Sequence, residues 1–345
     1  MDMMAMVFIG VAGLSWFLTY ALCKIAVHYQ WYDKDSHGIK EKGLQVPALG
    51  GMALFVSFWL GVWVLFPQMI WQGNLLSVLL ASAVIVITGI IDDFVELTPI
   101  KKTLGILLAA NIVYFMGQIT FSTKLLPSLP TQWFELLTYV ATISWIYAVT
   151  NAVNLLDGLD GLAGSVSLTS LITLVLINYY FSQSIRLTNF VMLILLTAAI
   201  IGFLPHNWYP AKIYLGDTGA LFIGFMYATL TVSGLKNATF FSLLVPVVLY
   251  AVPIFDTVYA MCRRVLSGQS PTQGDREHLH HRLLRFGLPE KQVVWVMVGM
   301  TILFLALAVL SHLYPELRRE LILIILALVS GMIIGMKLLA RLNNK

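Results

Sequence analysis

Between two apolar segments runs Asn151-Ala-Val-Asn154-Leu-Leu-Asp157-Gly-Leu-Asp160-Gly161, two amides and two carboxylates within ten positions. Such groups are costly beside a hydrophobic boundary unless something binds them. Set three residues apart, they would fan over half the circumference of a single helix and could not share one face. Gly158 and Gly161 instead predict a helix ending in a turn that lets the polar groups converge. Oxygen ligands gathered at a helix end suit Mg²⁺ and phosphate chemistry. The alternative is a polar loop with capping side chains.

Other stretches carry the same chemical types. Asp92-Asp93 is followed by Glu96 and by Lys101-Lys102. Adjacent carboxylates repel, so one must be paired, shifted in pKa or bridged by a cation. His206-Asn207-Trp208-Tyr209-Pro210 leads through Lys212 and Tyr214 to Gly216-Asp217-Thr218-Gly219, a tight turn presenting one carboxylate. Asp275-Arg276-Glu277-His278-Leu279-His280-His281-Arg282 has neither the spacing nor a Cys partner for zinc, and with Arg285 nearby it reads as an anion-binding cluster. Lys40-Glu41-Lys42 precedes Pro47 and the pair Gly50-Gly51. That segment is a topology signal, and its glycines would also admit a lipid phosphate close to the backbone. Asp256, after Pro253, would cap a helix break or hold a basic partner.

The elements that must position these groups are membrane helices. The 345 residues are 59% hydrophobic and only 11% charged, with mean hydropathy +0.85, against about 25% charged in soluble domains. The reading is an all-α polytopic integral membrane protein forming a single domain over residues 1–345, with no internal repeat. Apolar runs of about 17–25 residues give roughly eleven spans. They lie near Met3–Cys23, Gly50–Phe66, Leu75–Ile91, Leu104–Gly117, Phe134–Val149, Leu162–Phe181, Asn189–Leu204, Leu221–Ser233, Phe240–Cys262, Val293–Leu313 and Leu321–Ala340. The fourth, fifth and eighth are short, as spans lining a cavity would be, and Pro246 and Pro253 should bend the ninth.

The first span lacks a basic leader and is expected to be retained. With the N-terminus outside, sixteen of the 21 Lys and Arg fall in inner loops, which supports a cytoplasmic C-terminus. Thirteen of the 17 acids gather on the same side, although acids do not obey that rule. An active site on cytoplasmic loops would account for them. The net charge of +4 makes no case for nucleic acid, and Cys23 and Cys262 read as inert thiols. Carboxylates for a metal and cations for phosphates, on one membrane face, indicate phosphoryl transfer. A secondary transporter would place such groups near the midplane and often shows repeats.

Taken in order, Asp92-Asp93, Asn151 to Gly161, Gly216 to Gly219 and His278 to Arg282 resemble the motifs of the polyprenyl-phosphate N-acetylhexosamine-1-phosphate transferases, over nearly the whole chain. Arg282 stands where the phospho-MurNAc-pentapeptide transferases tend to carry a third histidine, so the resemblance favours the N-acetylglucosamine branch. It implies a bacterial inner-membrane enzyme that converts UDP-N-acetylglucosamine (UDP-GlcNAc) and undecaprenyl phosphate to undecaprenyl-diphospho-GlcNAc and UMP. This would be the first membrane step of a surface glycan such as teichoic acid or O-antigen. Mg²⁺ is the implied cofactor, with Mn²⁺ as a substitute.

The resemblance makes Asp217 the main metal ligand with Asn154, and Asp92, Asp93 and Asp160 the catalytic acids. Asp157, Asn207, Tyr214, Lys102, His280, His281 and Arg282 become substrate contacts. An ionised lipid phosphate is already nucleophilic, so direct attack is expected rather than an aspartyl-phosphate relay. The apolar outer faces of several spans suit a homodimer.

Overall fold

The computed structural model describes residues 3–32, 46–121, 131–181, 187–234 and 279–342. Every regular element among them is helical: α1 (Met3–His28), α2 (Gly50–Leu65), α3 (Gly73–Val95), α4 (Pro99–Phe115), α5 (Thr131–Leu156), α6 (Leu162–Phe181), α7 (Leu187–Asn207), α8 (Gly216–Gly234), the short α9 (Leu279–Arg285), α10 (Glu290–Leu313) and α11 (Arg318–Leu342). Six are long and apolar enough to cross a membrane, namely α1, α3, α5, α6, α7 and α10, while α2 is apolar but shorter. The chain is a polytopic, all-helical membrane protein. The expected ninth span with Pro246, Pro253, Asp256 and Cys262 lies outside the described residues, as do Lys40-Glu41-Lys42 and the stretch from Asp275 to His278.

Two expectations about the spans are corrected. The fifth is not short: α5 runs for 26 residues. Asn151 does not end it, because its side-chain amide donates to the Tyr147 carbonyl one turn back at 2.8 Å and the helix carries on around it. The eighth is longer than expected too, at 19 residues, and lines a cavity only at its far end, through Thr229, Leu230 and Ser233. Helix α8 is buried on all sides from Thr218 to Val232 by α2, α3, α5 and α7. It is apolar all round because protein, rather than lipid, surrounds it. Helix α4, by contrast, buries only the stripe Ile106, Ala109, Ala110 and Val113 and leaves Leu104 and Leu108 outward.

Small residues set how closely these helices approach, as is usual where lipid removes the hydrophobic drive between them. A Cβ on Gly202 of α7 would lie 2.1 Å from the Ala12 carbonyl of α1, and the Ser15 hydroxyl donates to the Ala199 carbonyl at 2.7 Å. A Cβ on Gly51 would lie 2.2 Å from the Gly219 nitrogen, and one on Gly89 would lie 2.4 Å from the Thr218 Cα. The pair Gly50-Gly51 therefore admits the backbone of α8, not a lipid phosphate. Hydrogen bonds seal that approach: Gly51 N–H donates to the Leu215 carbonyl, Gly50 N–H to the Tyr214 carbonyl, and Tyr214 N–H to the Pro47 carbonyl.

Candidate active site

Alternating helix directions bring the C-terminal ends of α3, α5 and α7 to the same end of the bundle as the N-terminal ends of α4, α6 and α8. The polar motifs sit there. Helix α3 ends at Glu96, which adopts a left-handed φ of 55°, and the Asp92 carboxylate closes the turn by accepting Leu97 N–H at 2.6 Å through Oδ1. Pro99 then occupies the first turn of α4, where its missing N–H costs nothing. One turn on, Lys102 turns back toward α3.

Asp92 and Asp93 are consecutive on a helix, so their side chains point about 100° apart. The Oδ2 of buried Asp92 contacts Lys102 Nζ. The same ammonium donates to Asp217 Oδ1 at 2.8 Å, so one lysine bridges carboxylates from α3 and α8. Burial pulls the Lys102 ammonium down, but Asp217 and Asp92 outweigh it and hold its pKa above the ordinary lysine value. Burial likewise pushes the Asp217 carboxyl up. Lys102 and hydrogen bonds that include one from Asn154 reverse that and keep it below the usual carboxylate range.

Asp93 faces the other way. Its Oδ1 accepts Asp217 N–H at 2.7 Å, and its Oδ2 accepts Thr218 N–H at 3.1 Å and the Thr218 hydroxyl at 2.6 Å. It is an N-cap supplied to α8 by another helix, at the positive end of the α8 dipole. Both oxygens of Asp93, expected as a catalytic acid, are engaged in fixing the backbone that carries Asp217.

The α5–α6 turn also divides its work. Asn154 closes α5, and its buried Oδ1 has no hydrogen-bond partner. Asp157 begins the turn, half-buried. Asp160 Oδ2 accepts Ala211 N–H at 2.8 Å while its own N–H donates to Glu290 Oε1 at 3.0 Å. The expected catalytic Asp160 thus ties the α7–α8 connection to the α5–α6 turn through one oxygen. Asn207, expected at the nucleotide, is engaged within the protein. Only 2% exposed, it accepts Gly161 N–H at 3.2 Å and donates to the Ile213 carbonyl at 3.0 Å. Both ends of its amide bracket the two loops.

Histidine loop residues close over this turn. His280 is buried and lies beside His281, with ring centroids 4.1 Å apart and the planes tilted by 50°. A Cβ on Gly158 would lie 2.7 Å from His280 Nε2, so glycine is what lets the ring sit there. Arg282 is the largest fully buried side chain among the described residues. Tyr214 is half-buried beside the α8 turn. The structure therefore gathers Asp92, Lys102, Asp217 and Asn154 into one cluster and sets His280 against Gly158.

Two carboxylates and an unsatisfied amide oxygen form an all-oxygen set of the kind hard divalent cations take. Lys102 already marks where positive charge is held. A cavity of about 510 Å³ opens at the other end of the bundle, among Gln72, Asn74, Asn189 and Ser233, and takes no part in this cluster.

Comparison with known proteins gives the family. Residues 75–235, which hold Asp92 through Asp217, match the family described as glycosyl transferase family 4. The chain is 33% identical over 254 residues to a Bacillus subtilis protein named "Probable undecaprenyl-phosphate N-acetylglucosaminyl 1-phosphate transferase", covering 73% of this chain and 69% of that one. The chain belongs to glycosyl transferase family 4. Further family members include a Mycobacterium tuberculosis decaprenyl-phosphate N-acetylglucosaminephosphotransferase, 30% identical over 72% of this chain and 68% of its own. An Escherichia coli undecaprenyl-phosphate alpha-N-acetylglucosaminyl 1-phosphate transferase is 28% identical over 85% of this chain and 80% of its own.

Sequence reasoning missed three supporting residues of this family member. Glu290, at the start of α10, holds Asp160. Thr218 completes the cap. Trp208 packs edge-on to Trp295 and lies 3.3 Å from where a Cβ on Gly161 would be. Thr218 sat inside a recognised motif and could have been read as half of a cap. Nothing local marks Glu290, whose partner is 130 positions away.

Proposed function

We propose that the chain transfers N-acetylglucosamine 1-phosphate from UDP-GlcNAc to undecaprenyl phosphate, at the bacterial inner membrane. An oxygen of the lipid phosphate attacks the phosphorus that carries the sugar. The bond from that phosphorus to the bridging oxygen breaks, and UMP leaves with the electron pair. The observation that carries the reading is Lys102 held between Asp92 and Asp217, with the Asn154 oxygen unsatisfied, at the polar end of an apolar bundle. The names borne by the Bacillus subtilis and Escherichia coli relatives supply the sugar and the lipid.

Each residue then has a physical task. Asp92, pinned by Leu97 N–H, orients Lys102 toward the acceptor phosphate. No proton need be taken from that phosphate, because it is ionised at neutral pH. Asp217 and Asn154, with Asp92 opposite, are the residues that would hold Mg²⁺, or Mn²⁺ in its place, which when bound supplies charge neutralisation to the diphosphate. His280, His281 and Arg282 close on the sugar-phosphate side, and Tyr214 and Asp157 flank the nucleotide. Eleven spans, an outer N-terminus and a cytoplasmic site complete this reading of one membrane domain. Arg282 in place of a third histidine favours GlcNAc over the MurNAc-pentapeptide donor.

The test is a transfer assay with full-length protein, undecaprenyl phosphate and radiolabelled UDP-GlcNAc. The expected result is label in the lipid phase and released UMP, both lost on adding EDTA and in Asp217→Ala of unchanged expression. Label only from UDP-MurNAc-pentapeptide, or full activity in Asp217→Ala, would overturn the donor or the site respectively.

A further inference from the structure

On the carboxylate side of the bundle, but against α1 rather than α3, a second polar cluster lies outside the site. Trp16 and Tyr20 stack at 6.0 Å on the outer face of α1 and are 48% and 45% exposed. Lys24 Nζ stands 5.6 Å above the Tyr20 ring. His206, at the end of α7, packs 5.2 Å from Trp16 and 6.4 Å from Tyr20, and its buried Nε2 has no hydrogen-bond partner. The second lysine is Lys212, exposed. Its backbone is clamped at both ends, with N–H to the His206 carbonyl at 2.8 Å and C=O accepting from Cys23 Sγ at 3.2 Å. Lys24 is the next residue after Cys23, so this contact brings the two lysines to the same corner.

We infer that Lys24 and Lys212, floored by Trp16, Tyr20 and His206, bind the phosphodiester headgroup of an anionic glycerophospholipid in the leaflet on the carboxylate side. Lys24 follows Cys23 on α1, and the Cys23 thiol meets the Lys212 carbonyl, so the two lysines belong to one corner of the bundle at the end of an apolar span. The aromatic pair beside them is exposed where a lipid chain runs, and aromatic rings at that depth prefer the headgroup zone. A basic pocket between helix ends is the usual form of such a site.

This site reaches the candidate active site through two residues of backbone. Ala211, next to Lys212, donates to Asp160 Oδ2, and the same loop ends at Ile213, which Asn207 holds. A headgroup bound to Lys212 would steady the connection on which Asp160 is braced. It is a positioning effect, separate from the chemistry.

The test uses the detergent-purified full chain and native mass spectrometry, with phosphatidylglycerol and phosphatidylcholine offered in equal amounts. The wild type should retain phosphatidylglycerol preferentially. Each of Lys24→Gln and Lys212→Gln should lower that preference about fivefold, and the pair should lower it about 25-fold. Lys101→Gln, at the α4 end, should leave it unchanged. Equal retention of the two lipids, an unaffected double variant, or displacement by soluble glycerol phosphate at the same concentration would each overturn the proposal. Lipid retention is read without any turnover, so failure of the transferase reading would leave this result standing.

Discussion

Replacing Asp93 with asparagine separates a structural acid from a chemical one. In the wild type its two oxygens accept from Asp217 N–H, Thr218 N–H and the Thr218 hydroxyl. Asparagine keeps the first acceptor but turns an NH₂ toward Thr218 N–H, a donor facing a donor, while the hydroxyl can rotate to accept. One charge-assisted bond to a partly buried carboxylate is lost, at about 1.5–3 kcal/mol. Loss of the negative charge at the α8 N-terminus adds about 0.3–1 kcal/mol. The sum is about 2–4 kcal/mol for Asp93→Asn. Thr218→Val deletes only the hydroxyl bond and should cost about 1 kcal/mol, whereas Asp93→Ala strands both backbone donors and should cost most. Thermal unfolding of the purified variants at one scan rate should therefore rank wild type, Thr218→Val, Asp93→Asn and Asp93→Ala in falling order, with transfer activity falling in the same order. A fully stable Asp93→Asn with no transfer would refute the cap and return Asp93 to the chemistry.

Two other sets of variants test the frame around Asp217. Gly51→Ala and Gly89→Ala each push a methyl into the backbone of α8, which cannot rotate out of the way as a side chain would. Each should destabilise by about 1–3 kcal/mol or more, whereas Gly10→Ala, with nothing within 4 Å of the new Cβ, should be neutral. Heat-challenge size-exclusion chromatography would show the contrast, and equal profiles would refute the close packing. Asn207→Ala should leave Gly161 N–H and the Ile213 carbonyl buried and unpaired, at about 1–3 kcal/mol each. A rise in nucleotide KM with unchanged unfolding temperature would instead make Asn207 a ligand contact.

The fold was legible where composition alone decides. Apolar runs located helices at ten of the eleven expected spans, since a stretch of that length has few other ways to satisfy its backbone in lipid. Lengths failed where polarity was mistaken for an end. Asn151 looked like a boundary, but its amide bonds back along the helix and α5 continues. The cluster of Asp92, Lys102, Asn154 and Asp217 was legible because each residue sits in a compact motif of unusual polarity. Division of labour among the acids was not. Whether a carboxylate faces a ligand or a helix end depends on the helix packed against it, and no local pattern reports that. Glu290 and Asn207 illustrate the point: one acid looked ordinary and holds the turn, while one amide expected at the substrate also braces two loops.

The adjacent pair Asp92-Asp93 shows why the errors lay there. Two neighbouring carboxylates at the end of an apolar helix pose a repulsion that sequence can state but not resolve. The helix resolves it by angle. Asp93 turns to the N-terminus of α8, where its oxygens meet three donors and the positive end of the helix dipole. Asp92 turns to the α3–α4 connection, where Leu97 N–H and Lys102 hold the other carboxylate. Both acids then act on Asp217 by separate routes, one through its backbone and the other through the lysine that touches its carboxylate. The fixing of a single carboxylate from two sides goes with the tight enclosure of α8, where Gly51 of α2 and Gly89 of α3 have no room for a side chain.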